Sequence, residues 1–189
     1  MLLENPITKP WELRVHIDSP CAPEIFSEYF FRMLRETYTP SPMIILCIGT
    51  DRSTGDSLGP LVGQMLKNNC SHARVLGTLS EPVHAGNLAK VLDEINEKYK
   101  DPFIIAIDAS LGRSENVGTI KLARGSIKPG AGVNKDLPPV GNFHVTGIVN
   151  VGGFMEYFVL QNTRLYLVMK MAEIIAEGIK KGLLRFFSG

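Results

Sequence analysis

Short apolar runs alternate with amphipathic stretches along the centre of this chain. The runs at 43–48, 73–78 and 103–108 have the length and composition of strands, and segments 58–69 and 86–99 place apolar residues at helical spacing. Strands that alternate with helices in this way are joined by right-handed crossovers, which makes them parallel. The pattern therefore predicts a three-layer α/β/α fold, with a mostly parallel central sheet and helices on both faces.

The same pattern predicts the elements on either side of this centre. They are a proline-rich, irregular lead-in at 1–23 containing a short strand at 13–17, a helix at 23–35, strands at 118–122 and 144–151, and one long helix at 160–187. Residues 125–143 hold too many glycines and prolines for regular structure, and a loop of that length is usually functional or disordered. No repeat or boundary signal divides the chain, so residues 1–189 are predicted to form one domain.

Composition excludes several classes of protein. With 44% hydrophobic and 21% charged residues the chain is typical of globular proteins, and its net charge of +1 predicts no binding to nucleic acid or to a membrane surface. The start of the chain lacks the features of a signal peptide, and no apolar run reaches membrane-spanning length, so a cytoplasmic location is expected. The three cysteines form no CxxC pair, which argues against a disulfide framework or a zinc knuckle.

Two predicted strands run directly into aspartates. Asp51 and Asp56 follow the strand at 43–48, and Asp108 ends the strand at 103–108. Sites in open α/β folds lie at the carboxyl ends of the strands, where adjacent carboxylates bind a metal or share a proton and activate water. An alternative is that Asp51 or Asp56 caps the helix that begins near Leu58, where an acidic residue is also favourable.

Two histidines are candidates for the same site. His144 begins a strand directly after the glycine-rich loop, and His84 lies in the loop that follows the second strand. A lone histidine beside an apolar stretch is more often structural than a ligand. Together with two aspartates, however, His144 would complete a set suited to zinc, nickel or manganese. His84 and Asp51 are secondary candidates.

Other reaction types match the sequence less well. The glycines and hydroxyl residues of segment 49–57 suggest a phosphate or nucleoside site, but they form neither a Walker A loop nor a G-x-G-x-x-G motif. Ser57 and Ser110 lack the G-x-S-x-G surroundings of a serine hydrolase nucleophile. The carboxylates therefore remain the strongest chemical signal.

These motifs together resemble a known superfamily of peptidases. Ile48-Gly-Thr followed by Asp56-Ser-Leu-Gly-Pro60 is similar to the first loop of the hydrogenase maturation endopeptidases and of the spore germination protease. Ile107-Asp-Ala109 is similar to their second acidic strand end, and His144-Val-Thr-Gly147 resembles the histidine motif of the hydrogenase maturation enzymes. The resemblance runs from the first strand to about residue 152, and it implies a divalent-metal set of Asp56, Asp108 and His144.

Segments 113–120 and 127–135 are similar to the corresponding part of the spore germination protease, in which the aspartates matching Asp56 and Asp108 have the catalytic role. Taken together, the motifs are most similar to the sporulation protein family known as YyaC. One departure concerns Asp56, because the hydrogenase maturation enzymes often have glutamate at this position. The shorter side chain changes the reach toward a metal.

The resemblance implies a sporulation-associated endopeptidase with narrow specificity for a protein substrate, such as a spore protein. Asp56 and Asp108 would hold and polarise water, His144 would bind metal or shuttle protons, and the loop at 125–143 would recognise the substrate. One alternative is a catalytically inactive module of the same fold that binds a metal or a partner. A weaker alternative is a protein that binds a nucleoside or phosphate ligand in the glycine-rich loops.

Overall fold

A computed structural model describes residues 12–129 and 137–188, where six strands form one sheet. The strands are Glu12–His16 (β1), Met43–Cys47 (β2), Arg74–Leu76 (β3), Phe103–Gly112 (β4), Thr119–Arg124 (β5) and Phe143–Val151 (β6). They lie in the order β1-β5-β6-β4-β2-β3. The neighbours from β6 to β3 are parallel, while β5 is antiparallel to both β6 and β1.

Within these described residues, five α-helices pack around the sheet. They are Ala22–Thr37 (α1), Leu58–Leu66 (α2), Leu88–Lys98 (α3), Glu156–Gln161 (α4) and Leu165–Ser188 (α5). Within the described residues, no helix combines the length and the apolar character needed to cross a membrane.

Both faces of the central strands are buried. Ile45 and Cys47 of β2 face a large apolar cluster built with α1, α2 and α5, whereas Ile44 and Leu46 face a smaller cluster built with α3. A strand covered on both faces needs apolar residues at every position, which explains the uninterrupted run Met-Ile-Ile-Leu-Cys. The predicted three-layer fold with a mostly parallel sheet is confirmed.

Aromatic rings fill the centre of the larger cluster. Phe143 of β6 packs edge-on against Phe30 of α1, with 5.5 Å between ring centroids, and against Phe103 of β4 at 5.8 Å. All three side chains are almost completely buried. These contacts fix α1 over the middle of the sheet.

The predicted strand at 103–108 is confirmed, but β4 continues to Gly112. Its pairing with β2 ends at Ile107, whereas its pairing with β6 runs on to Gly112, with a shift of register between Ser110 and Leu111. Asp108 therefore follows the last residue that β4 pairs with β2, inside a longer strand. The sequence showed where the apolar run ended, but it did not show that β6 would extend the strand.

The long helix predicted at 160–187 is present as α5, but it begins five residues later than predicted. The chain leaves the helical path after Gln161, and α5 begins at Leu165. The break is held by hydrogen bonds of Thr163, whose hydroxyl donates to the Val159 carbonyl at 2.9 Å and accepts from the Asn150 amide at 3.1 Å. Asn150 belongs to β6, so a tertiary contact fixes the break.

The remaining predicted elements are present with small shifts at their ends, including the short strand near 13–17 and the helix near 23–35. Residues 1–11 of the predicted lead-in, and 130–136 of the predicted loop, lie outside the described residues. In the described part of that loop, Ile127 and Val140 form an isolated antiparallel bridge.

Replacing Phe143 by alanine should lower the free energy of unfolding by roughly 3–5 kcal/mol, because it leaves a cavity among buried rings. Urea denaturation measures the change. The matched control is Phe154→Ala, since that ring is 84% exposed and its loss should change stability by about 0.5 kcal/mol or less. Similar losses in both variants would contradict the central place of Phe143 in the core.

Candidate active site

A cavity of about 630 Å³ lies at the carboxyl ends of β2 and β4. Four of the five candidate residues line it: Asp51, Asp56, His84 and Asp108. His144 is not among the described residues that line this cavity. The volume is within the range of sites that enclose small molecules or a few side chains.

Asp56 lies in a 3₁₀ turn, Gly55–Ser57, that leads into α2. The N-cap residue of α2 is Ser57, and no side chain makes a capping hydrogen bond there. The alternative that Asp51 or Asp56 caps this helix is therefore wrong. Asp56 instead lies beside the cavity, and its side chain is half-buried.

The loop after β2 folds back tightly on this turn. The Thr50 amide donates to the Asp56 carbonyl at 3.2 Å. Gly49 has a φ of +144°, and a Cβ atom at that position would lie 2.0 Å from the same carbonyl oxygen. Only glycine tolerates both the conformation and the close approach. Gly49 thus allows Asp56 to reach the cavity wall.

Asp108 is the most buried ionisable group of the cavity, with only 9% of its surface exposed. Burial raises the pKa of its carboxyl group to about 8. The Ala109 amide, which donates to Oδ1 at 2.9 Å, acts in the opposite direction, and the negative charge of Asp56 raises the pKa further. Asp108 is therefore protonated at neutral pH.

Asp56 is less buried than Asp108, but burial also raises its pKa above the ordinary value. The Ser53 hydroxyl opposes that shift, although its Oγ atom makes no hydrogen bond of normal geometry within the described residues. Two nearby carboxyl groups resist double ionisation, so the less buried one loses its proton first. At a pH between the pKa values of the two groups, the pair consists of one carboxylate, Asp56, and one carboxylic acid, Asp108.

His144 lies on β6, on the same face of the sheet as Asp108. It pairs with Ala106, while Asp108 pairs with Thr146, so the histidine is two residues further from the carboxyl end, or about 7 Å along the strands. Its Nδ1 atom is 2.9 Å from the Gly125 carbonyl. Because a carbonyl only accepts, Nδ1 carries the proton and Nε2 keeps its lone pair.

Burial lowers the pKa of His144, so its ring is neutral at neutral pH. A neutral ring whose Nδ1–H donates to a carbonyl is typical of metal-binding histidines and also of buried structural ones. Among residues 12–129 and 137–188, however, no group of three or more His, Cys, Asp or Glu side chains is placed to hold a metal ion. As they stand, Asp56, Asp108 and His144 do not fit a ready metal site, and the nickel, zinc or manganese ion stays a prediction.

The two secondary candidates, Asp51 and His84, also line the cavity. Asp51 is exposed in the loop after β2. His84 is half-buried, and its Nδ1 atom accepts a hydrogen bond from the Gly86 amide at 3.0 Å. Both are placed to contact a bound molecule.

Several residues that line the cavity were not among the candidates predicted from the sequence. Glu156 and Leu160 of α4 line it, although α4 is about 100 residues from Asp56 in the chain. Arg52 and Lys128 line it too, and they come from the loops at 49–57 and 125–143. The sequence pattern did not predict α4, because the predicted C-terminal helix began only at residue 160 and the segment before it was assigned to no element. Lys128 had a usable signal, since it lies in the loop at 125–143 that was expected to recognise the substrate. Arg52 lies in the loop that was expected to carry the acidic residues.

Comparison with known proteins identifies relatives of the chain. A family model described as "Protein of unknown function (DUF1256)" matches residues 14–178. The "Uncharacterized protein YyaC" of Bacillus subtilis (strain 168) is 60% identical over 139 residues, which cover 73% of this chain and 68% of that protein.

The fold is similar to that of the [NiFe] hydrogenase maturation protease HycI from Thermococcus kodakarensis KOD1, known from a crystal structure. The TM-score is 0.52 and the sequence identity 19%, with 80% of this chain and 98% of that protein covered. At this identity, the similarity establishes a shared fold.

Replacing Gly49 by alanine should lower the free energy of unfolding by roughly 2 kcal/mol more than the same change at Gly153, because both changes strain a backbone of positive φ but only the Cβ atom at Gly49 meets the Asp56 carbonyl oxygen, at 2.0 Å. Gly153 is the matched control, since its φ is +131° but nothing lies within 4 Å of an added Cβ atom. Urea denaturation compares the two variants. Equal losses would show that the approach to the Asp56 carbonyl does not matter.

Asp108 should contribute a fall in the free energy of unfolding as the pH rises from about 4 to 8, because folded Asp108 keeps its proton up to about pH 8 while the unfolded residue loses it near 3.9. The folded state binds more protons across that interval, and the curve should flatten above it. Asp108→Asn removes this contribution, so the slope should become less negative than in the unmodified protein. Asp56, whose pKa is raised, contributes in the same direction as Asp108, and His144, whose pKa is lowered, contributes in the opposite direction. Urea denaturation at pH 5, 6.5 and 8 measures how the free energy of unfolding changes with pH.

The control for this titration is Asp93→Asn, which makes the same chemical change at an exposed position on α3. It should keep the slope of the unmodified protein. An Asp108→Asn variant that kept that slope as well would contradict a buried, protonated Asp108.

Proposed function

The chain belongs to the DUF1256 family of proteins of unknown function, and we propose that it is an endopeptidase with a narrow protein substrate. The observation that carries the proposal is the pairing of Asp56 with Asp108 in one cavity at the carboxyl ends of parallel strands. The fold shared with a protein named as a maturation protease supports it. The sporulation setting rests on the similarity of the motifs to those of spore proteins.

The different burial of the two aspartates assigns their roles. Asp56 ionises first and acts as the base, while Asp108 keeps its proton and acts as the acid. Dyads of this kind divide the two roles because one carboxyl group cannot ionise easily beside the other.

Hydrolysis then needs water and a peptide bond between the two groups. The water oxygen attacks the carbonyl carbon while Asp56 takes a proton from the water. At the same time Asp108 donates its proton to the carbonyl oxygen. Asp56 next returns a proton to the amide nitrogen, the C–N bond breaks, and the hydroxyl proton of the intermediate goes back to Asp108. The products are a carboxylic acid and an amine, and the dyad regains its starting protonation.

His144 does not line the cavity, so this mechanism leaves it outside the proton transfers. Its Nδ1–H holds Gly125, the first residue of the loop that contributes Ile127 and Lys128 to the cavity wall. We therefore assign His144 a positioning role. A metal held by Asp56, Asp108 and His144 remains a separate prediction, for which addition of a chelator to the cleavage reaction is the test.

Asp108→Asn and Asp56→Asn should each abolish cleavage while the protein stays folded, because each removes one partner of the proton transfers. The measurement compares the terminal peptides of sporulating-cell lysate after addition of the unmodified protein or a variant. Chain ends that arise only with the unmodified protein identify the substrate and the scissile bond.

Asp93→Asn is again the matched control and should cleave like the unmodified protein. Circular dichroism confirms that each variant is folded. A folded Asp108→Asn variant that still cleaves would rule out the assigned role. Absence of new chain ends with the unmodified protein, over a range of pH and with metals added, would favour the non-catalytic binding module.

A further inference from the structure

Seven large apolar side chains within residues 151–166 are exposed. Phe154 is 84% exposed and Tyr166 62%, and even the least exposed, Val151, reaches 42%. We call this surface the apolar rim, formed by Val151, Phe154, Met155, Tyr157, Phe158, Leu165 and Tyr166. Single exposed apolar residues need no explanation, but clusters of them mark interaction sites.

The backbone that presents the rim is strained. Met155 has a φ of +51°, which is uncommon for a residue other than glycine, and it immediately precedes α4. The turn before it is tied by a hydrogen bond of 3.1 Å from the Gly153 amide to the Glu156 carboxylate. Strain of this kind persists at functional sites, and here it leaves Phe154 pointing away from the core.

The rim adjoins the candidate active site through α4. Glu156 and Leu160, four residues apart on one face of this helix, line the cavity, while Tyr157 and Phe158 lie on its exposed side. Leu160 also packs against Gly55, the residue before Asp56, since a Cβ atom at Gly55 would lie 2.7 Å from the leucine side chain. One short helix therefore forms both a wall of the cavity and the centre of the rim.

The chemistry of the rim selects an apolar occupant. Tyr157 and Phe158 pack edge-on, with 5.9 Å between their ring centroids, and offer a neutral aromatic surface. The guanidinium group of Arg164 lies over the ring of Tyr166 at 5.2 Å. Aromatic residues are enriched at protein interfaces, and tyrosine is among the residue types that most often dominate their binding energy.

We propose that the apolar rim binds an apolar segment of the protein substrate and thereby delivers a neighbouring peptide bond to Asp56 and Asp108. The proposal rests on the proposed function. It explains how a peptidase with two simple acid groups becomes selective, because binding energy from contacts remote from the scissile bond is used to orient it. The substrate is thus predicted to carry apolar residues close to its cleavage site.

The test measures binding separately from cleavage, in the Asp108→Asn background. Its probes are two fluorescein-labelled 20-residue peptides, one of Gly, Ser and Gln and the other the same sequence with four positions changed to Leu or Phe. Fluorescence anisotropy should show at least tenfold tighter binding of the apolar peptide. The triple variant Phe154→Ser, Tyr157→Ser, Phe158→Ser should lose this preference.

The matched control carries Ile25→Ser and Leu184→Ser, which remove exposed apolar side chains outside the rim. It should keep the tenfold preference. Equal binding of the two peptides to the parent protein, or an unchanged preference in the triple variant, would overturn the proposal. If the apolar peptide binds but no lysate protein is cleaved, the proposed peptidase function is wrong and the apolar rim is a docking site. If the triple variant cleaves as well as the unmodified protein, only the proposed role of the apolar rim is wrong.

Two further measurements detect other occupants. Light scattering would overturn the proposal if the unmodified protein were a dimer and the triple variant a monomer, because a second copy of the chain would then cover the apolar rim. Co-sedimentation with vesicles of phosphatidylglycerol and phosphatidylcholine would overturn it in favour of a membrane surface, if that binding depended on the rim. A monomer that does not sediment with vesicles is the expected result.

Discussion

The parallel register of β2 against β4 is the constraint on which the rest of the molecule depends. Cys47 pairs with Ile107, and the Ile48 amide donates to the Ile107 carbonyl at 2.7 Å, so the two strands reach the same level. Beyond that level β2 turns into its loop while β4 continues beside β6. Asp108 is thereby placed under the loop that carries Asp56, and the cavity forms where the two strands part.

This arrangement has an energetic cost that packing must offset. Placing Asp108 in a nearly dry position favours its neutral form, and in the described part of the chain one backbone amide, that of Ala109, supports the charged form. The buried aromatic rings around Phe143, on the opposite face of the sheet, supply the kind of stabilisation that such a site requires. Natural proteins accept a destabilising buried acid, such as Asp108 in the wall of this cavity, at functional sites.

The parts of the chain furthest apart in sequence meet around this pair. The loop after β5 is tied to the sheet by the hydrogen bond between His144 and Gly125. Helix α4 forms the wall of the cavity on the side of β6. The break between α4 and α5 matters here, since an unbroken helix would have carried Glu156 and Leu160 along the axis of α5. Hydrogen bonds from the Asn150 amide to the Thr163 hydroxyl and to the Val159 carbonyl hold α4 in its own orientation.

The sequence by itself determined the layered fold and the acid pair. Buried strands must be apolar at every position, amphipathic helices must repeat every three to four residues, and parallel strands must end at the same edge of a sheet. Asp56 and Asp108 follow from these rules. Only the tertiary structure decided that Asp108 lies within a strand extended by β6, that His144 lies behind the cavity, and that α4 stands apart from α5. Each of these depends on contacts between residues distant in sequence, such as Asn150 with Thr163 and His144 with Gly125, which leave no periodic trace along the chain.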